Sequence, residues 1–228
     1  MSATAPHHAD NIACSRMRNG QTRREEAWNS MLHALGAAAA LVAGIHLIRT
    51  IPDSPVKLGC TIAYIVTLAT LLATSAIYHA LPTGPRKDLF QLLDRAAIYL
   101  AIAGTYTPIG LLMEGGRIGI GLCAAEWALA AAGVASVALG RHRFLALSAW
   151  VYQFMGWLTA FGMRRLLANA GPAVVWGLAL GGIAYIAGVL FLVRDHRPYF
   201  HPISHALVII GAGIQFGAIS LFLHDAHH

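Results

Sequence analysis

Residues 58–81 read LGCTIAYIVTLATLLATSAIYHAL, 24 positions without an Asp, Glu, Lys or Arg. About 20 such residues in an α-helix cross the hydrocarbon core of a bilayer. The segment also lacks the strict apolar–polar alternation of a membrane barrel strand, so it predicts a membrane helix. Its last turn carries Ser75 and His79, four residues apart and therefore on one helix face. Ionisable side chains are expensive at membrane depth, and such a pair points to a site.

Six further apolar stretches flank it, at 28–48, 89–113, 117–139, 144–168, 172–193 and 202–223, bounded by charges or by Pro and Gly. Of 228 residues, 57% are hydrophobic and 11% charged, and the mean hydropathy is +0.60. That is too little charge to coat a soluble domain. The reading is an all-α integral membrane bundle of seven transmembrane helices. Residues 25–228 form one domain, because the loops are short and no internal repeat is evident. Residues 1–24 read as a polar, disordered tail; they have no apolar core or small-residue cleavage site and do not resemble a signal peptide.

Charge placement orients the bundle. With the N-terminus cytoplasmic, the inner segments hold ten basic residues: Arg16, Arg18, Arg23, Arg24, Arg86, Lys87, Arg141, Arg143, Arg194 and Arg197. The outer segments hold five: Arg49, Lys57, Arg117, Arg164 and Arg165. This excess predicts the N-terminus inside and the C-terminus outside a cell membrane that the chain crosses several times. The basic residues alternate between loops instead of forming one stripe, which argues against a nucleic-acid partner. Cys14, Cys60 and Cys123 have neither metal-type spacing nor an even count for a disulfide framework.

That topology brings distant residues to one depth. His79 ends the second span, His201 and His205 begin the seventh, and Asp94 lies a few residues into the third, all in the cytoplasmic half. Three imidazoles suit zinc, leave a fourth tetrahedral position open and so describe a catalytic type of site. Asp94 is placed to hold a bound water or a ligand histidine, and Ser75 reaches the same space from one turn below His79. Pro202 disfavours helical backbone at the preceding residue, which predicts His201 at a helix N-cap. Tyr106-Thr107-Pro108 predicts a kink in the third span. Glu126, near the middle of the fourth, is either protonated or faces a partner. Glu25, Glu26, Asn29 and His33 open the first span, where acidic residues favour the positive helix end.

Several segments together resemble a known family: Glu25-Glu26-x-x-Asn29-x-x-x-His33-x-x-Gly36, Ser75-x-x-Tyr78-His79, Asp94-x-x-x-Ile98-Tyr99, Ile102 through Pro108, Met155-Gly156-Trp157-Leu158, and His201-x-x-x-His205. They are similar to the hemolysin III family, in the progestin and adiponectin receptor superfamily. The resemblance implies a seven-helix protein with zinc on His79, His201 and His205, Asp94 near the metal-bound water and Ser75 close by. It also suggests Glu26, Asn29 and His33 as part of the cavity wall. Relatives are similar to ceramidases, which implies hydrolysis of amide- or ester-linked membrane lipids, with a ceramide-like lipid as substrate. The alternative it implies is a cytolytic, pore-forming protein or a lipid sensor in which zinc is only structural.

Overall fold

Local chemistry sets where the helices begin. Thr22 caps α1 (Arg23–Thr50): its hydroxyl accepts from the Glu25 N–H, and the Glu25 carboxylate accepts the Thr22 N–H at 2.8 Å. This reciprocal pair satisfies donors that have no acceptor within the helix. α2 (Pro55–Ala80) opens with Ser54 as cap and a proline in its first turn, where a missing N–H costs nothing. α3 (Pro85–Pro108) follows Gly84. Where the sequence predicts a kink, Pro108 lacks the N–H of a regular turn, and the chain continues as a wider π-helix over Ile109–Glu114. α4 spans Gly116–Ala138 and α5 His142–Gly156; a 3-10 turn, Leu158–Gly162, leads into α6 (Met163–Leu192), and α7 is Phe200–His224. The computed structural model describes residues 20–51, 54–139 and 142–225, excepting the side chains of 142–147. Most of the expected tail, Cys14, and the charges at 16, 18, 141 and 143 lie outside the described residues.

Six segments are long and apolar enough to cross a membrane, and the described residues contain no strand. Five match single predicted spans. The sixth, Ser148–Leu192, is 45 residues long and joins the stretches predicted at 144–168 and 172–193. It is not one continuous helix. The 3-10 turn interrupts it, and Gly171 (φ 76°, ψ 168°) is non-helical immediately before Pro172. A side chain at that backbone conformation would be strained, whereas glycine adopts it freely.

α1 packs on α2, α2 on α3, α3 on α4, and α6 on α7, while α1 meets α7 and brings the first and last helices together. Tyr64, Leu68 and Leu72 of α2 and Ile219, Phe222 and Leu223 of α7 belong to the main core. Gly104 of α3 allows close approach to α2, since a Cβ there would collide with the Thr67 side chain. Large apolar residues such as Val42, Ile120 and Trp176 are exposed on the outer faces. Apolar surface on this scale marks contact with another apolar phase, and with the long apolar helices it describes a multi-pass membrane protein.

Candidate metal centre

The C-terminal end of α2 and the N-terminal ends of α1, α3 and α7 meet at one end of the bundle. His79 ends α2, and His201 and His205 lie one turn apart at the start of α7, so their rings converge. One ligand nitrogen from each of the three lies within 4.8 Å of the others, a spacing that could hold a metal ion. His205 Nε2 and His79 Nε2 face each other at 3.0 Å.

The nitrogens pointing away from this centre are anchored. His79 Nδ1 is 2.7 Å from Glu26 Oε2, and His205 Nδ1 is 2.8 Å from His33 Nε2. A partner on one ring nitrogen fixes the ring and leaves the other free to ligate, the usual arrangement behind a metal-bound histidine. Glu26 is in turn held by Lys87, whose Nζ lies 3.1 Å from Oε1. Lys87 Nζ also donates to the carbonyls of Tyr78 at 2.9 Å and Leu81 at 3.1 Å. Its three N–H donors thus match three acceptors, two of them at the negative C-terminal end of α2.

His201 departs from expectation. Tyr199 is the N-cap, and His201 is the second residue of α7, not its cap. Proline is tolerated at the third helical position because first-turn N–H groups lack helical acceptors in any case. The bend falls instead on Tyr199, at φ 62° and the only non-glycine residue with positive φ among the described residues. The Glu25 carboxylate holds it there, accepting the Tyr199 N–H at 2.7 Å. Glu25 therefore caps its own helix and also positions the loop leading to His201. The Asp195 carboxyl in that loop faces His201, Oδ2 to Nδ1 3.7 Å, and this neighbour holds it below the usual aspartate range.

A cavity of about 240 Å³ begins beside the histidines. Its polar end is formed by His33, Ser75, Asp94, Ser204 and His205, with the Ser75 hydroxyl within hydrogen-bonding reach of Asp94. From there one face of α3, from Asp94 through Ile98 and Ile102, and then Ile109 at the start of the π-helix, line it for about 22 Å at 1.5 Å per residue. Leu68, Leu72, Leu166 and Val208 make the walls largely apolar. Of the three residues expected in the cavity wall, His33 lines it, whereas Glu26 and Asn29 stand behind His79. Asn29 Nδ2 donates to Gln21 Oε1 at 2.8 Å and makes a longer contact, 3.5 Å, with His79 Nδ1.

A family model described as haemolysin-III related matches residues 21–216. The chain belongs to the haemolysin III family. It is 31% identical over 203 residues to the Hemolysin-3 homolog of Bacillus subtilis, covering 88% of this chain and 95% of that one. It is 31% identical over 202 residues to Hemolysin-3 of Bacillus cereus, covering 88% and 92%. The human monocyte to macrophage differentiation factor is 28% identical over 206 residues, covering 88% and 85%, and belongs to the progestin and adiponectin receptor group.

Reading Lys87 as an orienting charge of the loop overlooked its role at the site. The available signal was its position as the third residue of a helix that begins just after α2, within reach of the unpaired carbonyls ending α2. Asp195 carried a weaker signal, as a carboxylate six residues before His201.

Proposed function

We propose that this haemolysin III-like protein binds zinc through His79, His201 and His205 near the cytoplasmic face and hydrolyses amide- or ester-linked membrane lipids, in the manner of a ceramidase. The observation that carries this reading is the shared cavity: Asp94, Ser75 and His205 stand together at the polar end of a long, apolar space. An acyl chain fits the apolar length, which leaves the polar linkage beside the histidines. The donor set, three imidazoles with two rings already anchored, suits zinc. When bound, zinc supplies Lewis acidity and lowers the pKa of water toward neutrality. The Asp94 carboxylate accepts a proton from the attacking water and delivers it to the leaving nitrogen or oxygen. The Ser75 hydroxyl, one turn below His79, donates to the carbonyl oxygen as negative charge develops there.

The same reading places seven crossings in a cell membrane. A 45-residue segment is more than twice the length one crossing needs, and Gly171-Pro172 supplies a turning point within it. An odd number of crossings puts the C-terminus outside, consistent with the basic inner loops. Reporter fusions at the two ends test this: signals from the same side would exclude seven crossings.

The activity is tested on purified full-length protein, assayed for bound zinc and for fatty-acid release from ceramide-like amides and lipid esters, in wild type and Asp94→Asn. Zinc retained with turnover abolished in the variant supports the hydrolase. A zinc-loaded wild type that cleaves none of these lipids overturns it. Leakage from liposomes that is indifferent to Asp94 would point to a cytolysin, and saturable lipid binding without product to a sensor.

A further inference from the structure

His33 is 2% exposed, lines the cavity and engages only one of its ring nitrogens. Nε2 is 2.8 Å from His205 Nδ1, while Nδ1 has no hydrogen-bond partner among the described residues. A buried orphan of this kind needs an explanation, because an unmet polar atom in a dry interior costs free energy. Proton accounting along the row of rings provides one.

Each neutral imidazole carries one N–H. Without a metal, the contacts His33 Nε2 to His205 Nδ1, His205 Nε2 to His79 Nε2, and His79 Nδ1 to Glu26 form a chain, each donating to the next. In that arrangement the proton of His33 is on Nε2 and its free Nδ1 is a bare acceptor. A metal on His205 requires the Nε2 lone pair, so the proton of His205 must sit on Nδ1 and point at His33. His33 Nε2 must then accept, which moves the proton of His33 to Nδ1. No proton is gained or lost by the pair. The character of the unpartnered Nδ1 is reversed, from acceptor to donor.

We propose that His33 is a lipid-binding residue whose Nδ1–H, created by metal loading, donates to an oxygen atom on the polar end of the bound lipid. The inference rests on the hydrolase reading for its ligand class, a lipid amide or ester carrying a hydroxyl or carbonyl oxygen. It makes lipid recognition conditional on metal: the loaded protein greets an oxygen acceptor with a donor, whereas the stripped protein presents another lone pair. Asp94 and Ser75 stand across the same polar end and are left to act on the scissile linkage.

The tautomer is read directly by nitrogen NMR of histidine-labelled full-length protein in lipid bilayers, with the His33 signals among the 12 histidines assigned by their loss in His33→Gln. The expected result is a protonated Nδ1 on zinc-loaded protein and a protonated Nε2 after chelation. An unprotonated Nδ1 with zinc bound overturns the proposal. Binding is then measured with a fluorescent ceramide-like amide on the zinc-loaded protein in the Asp94→Asn background, so that turnover plays no part. His33→Gln keeps an amide near the Nε2 position and His33→Asn one near Nδ1. Zinc content should remain full in His33→Gln while lipid affinity falls by about tenfold, the worth of one buried hydrogen bond. His33→Asn should hold zinc less tightly and, at saturating zinc, bind lipid nearly as wild type does. Wild-type lipid affinity in zinc-loaded His33→Gln overturns the proposal, as does a protein that binds none of the lipid. Metal-dependent binding with no hydrolysis in wild type would sink the hydrolase and leave His33 standing.

Discussion

Three buried carboxyls outside the cavity lining, Glu26, Glu114 and Glu126, stand in opposite circumstances. At the histidine end, both Glu26 oxygens are engaged, one by His79 and one by Lys87. Toward the other end, Glu114 and Glu126 are fully buried. Glu114 Oε1 accepts from the Thr159 hydroxyl at 2.7 Å, but its other oxygen and both oxygens of Glu126 lack a hydrogen-bond partner among the described residues. Of the two options the sequence leaves for Glu126, a facing hydrogen-bond partner is not found among the described residues. A carboxylate that organises cationic or N–H groups around it becomes part of a network whose members depend on one another. A carboxyl without such partners can be replaced with little consequence.

The sharpest break of this contrast is Lys87→Met. It leaves the buried Glu26 carboxylate without its cationic partner, and removing one partner of a buried pair costs roughly 3–5 kcal/mol. Thermal unfolding in detergent should show a large drop in midpoint, and adding Glu26→Gln should recover part of it. No recovery would mean that Lys87 acts only through the carbonyls of Tyr78 and Leu81.

Metal removal comes next. His205→Ala or His79→Ala should abolish zinc binding, measured by elemental analysis, and eliminate the stabilisation that zinc confers on wild type. That stabilisation is about 2.7 kcal/mol at a free zinc concentration a hundredfold above Kd. Unchanged metal content in both variants would exclude this ligand set.

At the other end, Gly162→Ala directs a Cβ into the Glu114 carboxyl. Overpacking of this kind should lower stability by about 1–3 kcal/mol, with zinc content unaffected if the two ends are independent. The smallest effect is expected for Glu126→Gln, under about 1 kcal/mol in thermal unfolding, since no partnered charge is lost. A loss as large as that of Lys87→Met would show that Glu126 has a partner in the folded protein and would remove the contrast.

The helices were legible because the signals that make them are local. The stretch 58–81 corresponds to α2 at Pro55–Ala80, and 202–223 to α7 at Phe200–His224. Where 144–168 and 172–193 run together, hydropathy marks apolar length but is blind to backbone breaks such as Gly171. The convergence of His79, His201, His205, Asp94 and Ser75 was legible for another reason: in a membrane bundle, crossing order alone sets depth. His201 was misplaced by one turn boundary, because the pre-proline rule does not see the Glu25 contact that moves the bend to Tyr199.

By itself, then, the sequence determined that this chain is helical, membrane-embedded and equipped with a band of histidines at one depth, since apolar length and the order of segments are properties of the chain. Only the tertiary structure decided how each helix is rotated about its axis. That rotation directs Glu26 at His79 instead of into the cavity, turns Lys87 back from its loop, and gives His33 one nitrogen for His205 and one without a partner. The physical reason is that depth is a one-dimensional quantity, whereas the facing of side chains depends on packing between helices as far apart in sequence as α1 and α7.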